Sequence, residues 1–581
     1  MVHRPAAAAA FPAAWLAAGV VAVQALAFAG GSAWAQDPLA HGDRTASLYR
    51  EVVKVDGAGN PLLPVSVLSR QDRLEVAAPS GLRILGTGDG QVELRLPPGT
   101  VVEVVAAEAK PGIYQHYVVL GEAPAHHMDA LRKRRAEWKD ARGVPVRTLQ
   151  TGTTYSLAGR MLDTRKTLVC LQDPLPTAAV AQARADALER QYGEPLRVHT
   201  VVDQPPSATL VARAPGGVEL RAADVLWLEA ATAGPGAALR IVGHRGGVKT
   251  ERDLPGRIYV VPAQQSAAGA GGGLEVVNEA EIERILPGVV ASEIFHSAPD
   301  AALRAQAVAA RTDMLAKVGT RHGTDPFAIC SEVHCQAYFG VDKVSPRIAQ
   351  AVADTRGLVL SEDGQLIDAY YHAVSGGHTE NNENAWAGEP QKALRGQADG
   401  TDKADPVRPR KQDGSATDEA VAALLKAKDV SWAAASGLNP QATRWSTVKT
   451  AAQVHASLAP YGIQAPILAM RVLTRGVSGR ATALELTLKG GTKATLAGEL
   501  RIRRGIGGSA GPSGLRSSLF LVTPGPAGKD GVPGEWRFEG AGFGHGVGMD
   551  QTGAVGRAKA GQDFKAILGH YYAGAKVEKL Y

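Results

Sequence analysis

Cysteine is scarce in this chain, with only Cys170, Cys330 and Cys335 among 581 residues. So few thiols exclude a small secreted scaffold that several disulfides hold together. Aromatic residues make up only 5% of the chain, and the formal net charge of +6 is small for this length. Since no basic stripe interleaved with aromatic residues accompanies that charge, the composition argues against a nucleic-acid partner.

Long apolar runs are absent beyond the N-terminus. Residues 1–35 have the pattern of a secretory signal peptide, with Arg4, an Ala/Val/Leu run over 11–28 and an A-x-A cleavage site at 33–35. An uncleaved membrane anchor is the alternative, but the run is weakly apolar and the cleavage site follows it. We therefore predict export to the periplasm or cell wall. Cleavage is expected just before Gln36, and no membrane span is expected in the mature protein.

Apolar residues are plentiful at 45%, and 67 glycines and 34 prolines supply many turns. This length and apolar content predict several folded domains rather than one, and exclude a largely disordered chain. We predict an α+β multidomain protein. Its parts are the signal peptide at 1–35, a β-rich N-terminal region at 36–210 and a mixed α/β domain at 211–581.

Local patterns place several elements within these parts. Gln91–Leu96 and Val101–Val105 are typical of strands, because they alternate or are rich in β-branched residues. Residues 167–172, 177–192 and 196–202 have a β-α-β pattern, which predicts a subdomain near 150–205. Cys170 falls in the first of these strands, where a buried core thiol is expected.

Glu293 lies in the apolar stretch 289–295, just before a helix that we expect to run from Ser297 to about Val318. Ser297 and Asp300 have the spacing of a capping box. A carboxyl in apolar surroundings has a raised pKa, which suits a general acid. A surface glutamate between two helices is the alternative, and this segment alone favours it.

Three potential metal ligands, Cys330, His334 and Cys335, fall within six residues, and His322 precedes them by eight. Two thiolates and two imidazoles suit tetrahedral zinc, although the spacing is not that of a standard zinc finger. The alternatives are a Cys330–Cys335 disulfide, reasonable after export, and two unlinked thiols. The residues alone leave metal and disulfide about equal.

Two further segments have the composition of ligand-binding loops. Residues 368–386 include a sharp turn and a polar run with His378 and Glu380, and residues 540–551 contain five glycines around His545. Glycines at this density allow a close approach of the backbone. No Lys-Ser/Thr pair follows, so this is not a phosphate loop. His545 suits a ligand, an acid/base group or a packed structural side chain.

Taken in order, the stretches GVVASEIF, ALRAQAVAART, AICSEVHCQAY, DAYYHAVSGGHTE and GAGFGHGVGMDQTGAVGRAKAG resemble the SpoIID/LytB family, over about 210–581. The resemblance implies cleavage of the MurNAc–GlcNAc bond of peptidoglycan glycan strands to 1,6-anhydro-MurNAc ends. Glu293 matches the family's catalytic glutamate and would act as general acid/base. The other site residues that the resemblance implies are Arg304 and Tyr371 in catalysis, and His378, Glu380, Gly544, His545 and Gly546 in substrate binding.

The resemblance also favours the metal. It implies that zinc is held by His322, Cys330, His334 and Cys335, in a closed structural site that braces the loop beside the active site. Two departures from the family pattern affect substrate positioning: Arg304 stands in place of a lysine, and Asp313 stands where tyrosine is usual after ART.

Other functions compete with this interpretation. A hydrolase would need a second carboxylate, for which Asp300, Asp313 and Glu380 are the candidates. The family also includes non-catalytic enhancers of a partner amidase, so the expected partners are glycan strands and a cell-wall amidase. A zinc-dependent amidase is disfavoured because four protein ligands would leave no open position on the metal for water. The β-α-β segment is similar to wall-binding repeat domains but carries no specific motif, and the family name does not establish a role in sporulation.

Overall fold

The computed structural model describes residues 48–49, 53–87, 91–125, 127–194, 196–232, 234, 237–264, 273–332, 335–386, 388–402, 404–427, 429–508 and 514–581. The predicted signal peptide, its cleavage site and His334 lie outside the described residues. Among the helices that are described, none is both long enough and apolar enough to cross a membrane.

Six strands come first in the chain. They are β1 (Lys54–Val55), β2 (Pro61–Gln71), β3 (Arg73–Ala77), β4 (Leu82–Thr87), β5 (Gln91–Leu96) and β6 (Val101–Lys110). β5 and β6 confirm the two strands predicted from the sequence. In β6, burial alternates along the first residues because one face packs into the core, as period-two patterning requires.

Residues 113–204 then form a separate unit, which we call the inserted unit. Its elements are β7 (Ile113–Pro124), α1 (Met128–Ala136), a π-helical turn (Glu137–Ala141), β8 (Val146–Thr151), β9 (Thr154–Leu157), β10 (Arg160–Asp163), β11 (Lys166–Leu171), α2 (Ala178–Tyr192) and β12 (Arg197–Gln204). Four strands pair antiparallel in the order β12-β7-β11-β8. With the β9–β10 hairpin set aside, this is the split β-α-β arrangement of ferredoxin-like folds.

The inserted unit has a small core of its own around Trp138, which is fully buried. The β-α-β pattern predicted over 167–202 is confirmed as β11, α2 and β12. The unit begins at Ile113, earlier than the subdomain expected near 150–205, because β7 is the central strand that pairs with both β11 and β12. Cys170 is fully buried in β11, as expected for a core thiol.

The chain next returns to two larger sheets. The added strands are β13 (Ser207–Ala214), β14 (Val218–Ala223), β15 (Leu226–Ala230), β16 (Ala238–Arg245), β17 (Val248–Pro255), β18 (Arg257–Pro262) and β19 (Leu274–Glu281). One sheet has the order β14-β13-β6-β3-β16-β17 and the other β1-β2-β19-β18-β15-β4-β5. The division predicted between 210 and 211 falls inside β13, which pairs with β6 and β14; the domain boundaries remain a prediction.

A helical layer packs on these sheets and shares their core. Its elements are α3 (Ile282–Glu293), α4 (Asp300–Ala316), β20 (Ile329–Cys330), α5 (Pro346–Asp354), β21 (Leu358–Glu362), β22 (Gln365–Leu366) and β23 (Tyr371–His372). α4 is shorter than predicted. Its N-cap is Pro299 and no side chain caps it, so the capping box expected from Ser297 and Asp300 is not formed. Nearly every residue of α4 beyond its first turn is buried.

The following region has a second core, centred on Trp536 and Phe538. Its elements are α6 (Asn382–Ala385), 3-10 turns (Lys392–Leu394, Ala459–Tyr461), α7 (Asp418–Lys426), α8 (Trp432–Ala435), α9 (Pro440–Thr443), β24 (Arg444–Thr450), α10 (Ala451–Leu458), β25 (Ile467–Arg475), β26 (Ala481–Leu488), β27 (Lys493–Ala497), α11 (Glu499–Gly507), β28 (Phe520–Pro524) and β29 (Glu535–Ala541).

The last elements bring the chain back to the helical layer. They are β30 (Met549–Asp550), α12 (Gln551–Lys559), α13 (Phe564–Tyr571) and β31 (Lys576–Lys579). β30 pairs in parallel with β23, and β31 pairs antiparallel with β21. These pairings place the glycine-rich segment before β30 next to Tyr371. Helices and several sheets in more than one core confirm the predicted α+β multidomain class.

Candidate active site and metal cluster

Glu293 is the last residue of α3, where the chain leaves the helix for an extended conformation at Ile294. The backbone N–H of Ala337 donates a hydrogen bond of 2.6 Å to Glu293 Oε1. Gln551, the first residue of α12, donates from Nε2 to the backbone carbonyl of Glu293 at 2.9 Å. Two segments distant in sequence therefore fix the Glu293 carboxyl and the end of its helix.

Burial raises the pKa of the Glu293 carboxyl above its usual range, although the hydrogen bond from Ala337 and the positive charge of Lys317 act in the opposite direction. Glu293 is therefore not the solvent-exposed glutamate between two helices that the sequence left as the alternative. A carboxyl with a raised pKa retains its proton nearer to neutral pH, and this is the property that a general acid needs.

Lys317, at the end of α4, is the cation whose charge acts on Glu293. Its Nζ donates to Asp313 Oδ2 at 2.5 Å and to the backbone carbonyl of Cys335 at 2.9 Å. Gln336 Nε2 donates to the same Asp313 oxygen at 2.7 Å. Asp313 stands where tyrosine is usual in the SpoIID/LytB pattern. Here it binds a buried lysine and a buried glutamine beneath the site.

Tyr371 lies next to Glu293, on β23. Burial raises the pKa of the Tyr371 hydroxyl well above its ordinary value, and the charge of Glu293 adds to the shift. Among the described residues, the buried Tyr371 Oη has no hydrogen-bond partner of good geometry. The Glu293 carboxyl is the group that this hydroxyl approaches, and the contact also raises the Tyr371 pKa.

Arg304 lies elsewhere on α4. Its Nη2 forms an ion pair with Asp354 Oδ2 at 2.5 Å, and the side chains are 36% and 30% exposed. The positive charge that acts on the Glu293 carboxyl is that of Lys317. The catalytic assignment of Arg304 remains a prediction.

The glycine-rich loop over 542–548 packs against the protein's own Arg480. Gly544 and Gly546 have φ of +101° and +85°, and a Cβ on Gly546 would lie 2.4 Å from Arg480 Cζ. Arg480 is itself buried and donates to the carbonyls of Ser375 and Gly544. The close approach that these glycines permit is thus to a buried guanidinium, and their predicted contact with substrate is untested.

His545 is held in its neutral form. Burial and the nearby Arg480 lower the pKa of His545 to about 3. Its Nδ1 accepts a hydrogen bond from Val547 N–H at 3.1 Å, and its ring packs 4.7 Å from the Trp386 ring. Since His545 also hydrogen-bonds the Tyr371 backbone, it connects the glycine-rich loop to Tyr371. This fits the packed structural alternative raised for His545.

His378 and Glu380 are buried in hydrogen bonds within the protein. His378 Nδ1 pairs with the Thr379 carbonyl at 2.6 Å, and Nε2 pairs with Arg410 Nη2 at 2.9 Å. Glu380 Oε2 accepts from Ser478 Oγ at 2.6 Å and from Ser478 N–H at 3.2 Å. Glu380 Oε1 accepts from Asn381, Asn384 and Val477. Both residues shape the loop, and their predicted substrate contacts remain predictions.

The candidates for a second catalytic carboxylate differ in their surroundings. Asp300 is exposed and pairs with Arg347 at 2.7 Å. Glu380 is enclosed by the donors just described. Asp313 is close enough for its charge to raise the pKa of Glu293, but its Oδ2 is held by Lys317 and Gln336.

Three of the four predicted metal ligands come together. The ligand atoms of His322, Cys330 and Cys335 all lie within 4.8 Å of one another. His322 Nε2 is 3.2 Å from Cys335 Sγ, and its Nδ1 faces Asp325 Oδ2 at 2.7 Å. β20 pairs in parallel with β2, which places Cys330 opposite Ser66. The two cysteines are present as thiols and not as the alternative disulfide.

The donor set of this cluster fits a metal ion. Two thiols and an imidazole converge at a half-buried position, and a carboxylate orients the imidazole from its second nitrogen. The hydrogen bonds to Asp325 and Cys330 outweigh burial and raise the pKa of His322 to about 9.

Three consecutive residues connect the metal cluster to the catalytic candidate. Cys335 supplies a ligand atom, Gln336 binds Asp313, and Ala337 donates to the Glu293 carboxyl. Sequence reasoning missed the roles of Lys317, Ala337 and Gln551. The i,i+4 spacing of Asp313 and Lys317 was an available signal for an ion pair, whereas nothing in the sequence marks a backbone N–H such as that of Ala337.

Comparisons with known proteins agree with this part of the structure. Residues 270–361 match the family model of SpoIID, described as stage II sporulation protein, and residues 380–548 match a domain of unknown function. The first match contains Glu293, all of α4 and the metal cluster. The second begins at Glu380, two residues after His378, and contains the glycine-rich loop at 542–548.

Two curated relatives are similar over half of the chain. An uncharacterized protein of Brachyspira hyodysenteriae is 27% identical over 303 residues, which are 52% of this chain and 68% of that protein. The amidase enhancer of Bacillus subtilis is 29% identical over 309 residues, which are 50% of this chain but only 39% of the enhancer. Residues 270–361 therefore carry a SpoIID domain, and the chain spans about two fifths of the length of the amidase enhancer that it resembles.

Proposed function

We propose that the protein is an exported peptidoglycan lytic transglycosylase that cleaves the MurNAc–GlcNAc bond, with Glu293 as its general acid and base. The observation that carries the proposal is the environment of Glu293. It is a single part-buried carboxyl with a raised pKa, oriented by Ala337 N–H and lying beside the Tyr371 hydroxyl. The SpoIID domain supports a role in the cell wall, and the predicted signal peptide supports export.

The proposed reaction uses one carboxyl twice. Protonated Glu293 gives its proton to the glycosidic oxygen as the bond from that oxygen to C1 of MurNAc breaks. The resulting carboxylate then takes the proton of the C6 hydroxyl of the same sugar, and the C6 oxygen bonds to C1. The products are a 1,6-anhydro-MurNAc end and a free GlcNAc hydroxyl, and no water is consumed.

The surroundings of Glu293 favour this route over hydrolysis. A hydrolase of the two-carboxylate type needs a second carboxylate that acts as nucleophile or activates water. Asp300 is exposed in a surface ion pair, Glu380 is enclosed, and Asp313 binds Lys317 and Gln336. Lys317 offers a fixed positive charge near Glu293 that stabilises the carboxylate formed after proton donation.

The metal cluster has a structural role in this proposal. Zinc would be held by His322, Cys330 and Cys335, with His334 as the predicted fourth ligand, and would supply structural rigidity rather than a reacting group. The chain's own contribution is the link through Gln336 to Ala337. An ordered Cys335 fixes the position of the amide that orients the Glu293 carboxyl.

Replacement of Cys335 by serine should empty the metal site. We expect zinc to fall from about one ion per chain to near zero, because removal of a thiolate ligand greatly weakens a structural site. Elemental analysis of the purified protein measures this. Cys170→Ser is the matched control, since Cys170 lies in the core of the inserted unit and should leave zinc unchanged. A wild-type protein without bound metal would contradict the prediction.

Product analysis tests the proposed reaction against its main alternative, a non-catalytic enhancer of an amidase. The purified mature protein is incubated with glycan strands, and the products are separated and weighed by mass spectrometry. We expect anhydro-muropeptides from the protein alone. The similarity to an amidase enhancer favours the alternative, which predicts intact strands here and faster release of stem peptides only when a partner amidase is added.

A further inference from the structure

A cavity of about 860 Å³ lies between the inserted unit and elements of the later chain, over 264–504. It is next to the metal cluster, and Glu293 is not among its lining residues. β7, α2 and β12 form one wall, and the segment from Lys317 to Asp325 forms another. The beginning of α11 and the aromatic side chains of Trp386 and Tyr461 complete it. This volume lies in the range of small-molecule sites, about 300–1,000 Å³, and suits one or two sugar rings.

Acidic side chains in the cavity wall already have basic partners. Glu122 pairs with Arg197 and lies 3.8 Å from Lys166. Asp186 lies 3.5 Å from Arg501, which also contacts Glu189. Asp368 lies 3.7 Å from Lys166, and Asp325 faces His322 Nδ1 at 2.7 Å. Among the described residues of the wall, Arg321 and Arg504 are therefore the cations without an ion pair within 4 Å.

Arg321 differs from these paired groups. Within the described part of the chain, it forms no ion pair within 4 Å, and its one side-chain hydrogen bond is to Tyr370 Oη at 3.5 Å. A guanidinium has five N–H donors in a planar fork that matches a carboxylate. Arg321 is only partly exposed and lies in the cavity wall between Lys317 and His322, so the donors that Tyr370 does not use remain for a bound anion.

Aromatic rings face the same cavity. Trp386 stacks on Tyr370 with ring centroids 4.4 Å apart, and Arg501 lies 4.9 Å from the Tyr461 ring centroid. Rigid aromatic surfaces bury the apolar face of a sugar ring at little entropic cost. A cavity with a carboxylate-binding fork and two aromatic walls thus favours an acidic sugar over a neutral sugar or a simple anion.

We propose that this cavity binds N-acetylmuramic acid units of a glycan strand, with the lactyl carboxylate on Arg321 and the sugar ring against Trp386. The choice of sugar rests on the proposed function, because N-acetylmuramic acid carries a free lactyl carboxylate wherever a glycan strand has lost its stem peptide. The inserted unit then supplies part of a glycan-binding site that holds a strand at a second point, separate from the Glu293 carboxyl.

Titration calorimetry of the mature protein with free N-acetylmuramic acid and with N-acetylglucosamine tests this. The two sugars differ by the lactyl ether, so we expect the acid to bind about tenfold or more tightly than the neutral sugar. Arg321→Gln should abolish that preference, and Arg504→Gln, in the cavity wall and away from the metal ligands, should weaken it. Equal binding of both sugars, or unchanged binding by both variants, overturns the proposal.

Controls separate this proposal from the proposed cleavage reaction and from the proposed zinc site. Arg347→Gln, in a surface ion pair, should bind the acid as wild type does. Zinc content and the thermal melting temperature of Arg321→Gln show whether the metal cluster next to it has been disturbed. Glu293→Gln should retain full binding in the cavity. A wild-type protein that binds the acid but cleaves no strands would refute the proposed reaction and leave the cavity site intact.

Discussion

Glu293→Gln should lower the rate of formation of anhydro-muropeptides by about 10²–10⁴-fold, the range that a positioned general acid and base contributes. Glutamine keeps the size of the side chain and a carbonyl oxygen that accepts the hydrogen bond from Ala337 N–H. It cannot donate a proton to the glycosidic oxygen or take one from the C6 hydroxyl. Chromatography of products from defined glycan strands, over a time course, measures the loss.

Asp300→Asn is the matched control for this substitution. It also converts a carboxylate to an amide, but on the exposed first turn of α4, and Asp300 was a candidate for a second catalytic carboxylate. We expect its activity to equal that of the wild type. Glu293→Gln with wild-type activity would refute the role of Glu293, and a large loss in Asp300→Asn would favour a two-carboxylate hydrolase.

Arg311→Met should destabilise the protein by about 3–5 kcal/mol, because it removes one partner of a buried ion pair. Arg311 Nε and Nη2 donate to the two oxygens of Glu283 at 2.7 and 2.8 Å, and the side chains are 0% and 6% exposed. Glu283 belongs to α3, which ends in Glu293, and also accepts from Tyr581. Chemical denaturation followed by circular dichroism measures the change in the free energy of unfolding.

Arg304→Met, on the same helix, provides the comparison. Arg304 and Asp354 form an ion pair at the surface, and exposed pairs contribute little to stability. We expect the unfolding curve to stay close to that of the wild type. If Arg311→Met unfolds at the same denaturant concentration as Arg304→Met, the buried pair does not anchor α3 as described. Cleavage activity of Arg304→Met also tests its predicted catalytic role.

The sequence allowed prediction of elements whose patterns are local. β5, β6 and the β11-α2-β12 unit follow from alternation and helical periodicity. The predicted start of α4 at Ser297 was wrong, because Pro299 is the N-cap residue and Ser297 lies before the helix. The pairing of β7 with β11 and β12 could not be predicted, since strands so far apart in sequence carry no local signal for their register.

The candidate site was only partly accessible from the sequence. The convergence of His322, Cys330 and Cys335 agrees with their residue types and spacing. The raised pKa of Glu293 was expected from its apolar neighbours, but its physical cause includes burial beneath segments more than forty residues away. Tertiary packing alone brings Gln551 to the Glu293 carbonyl and Arg480 beneath the glycine-rich loop.

The most direct test of the central claim is digestion of glycan strands in water enriched with heavy oxygen, followed by mass spectrometry of the new ends. An intramolecular attack by the C6 hydroxyl takes no oxygen from the solvent. We therefore predict anhydro-MurNAc ends without heavy oxygen, formed by the wild type and lost in Glu293→Gln. Reducing MurNAc ends that carry heavy oxygen would show hydrolysis and contradict the proposed reaction.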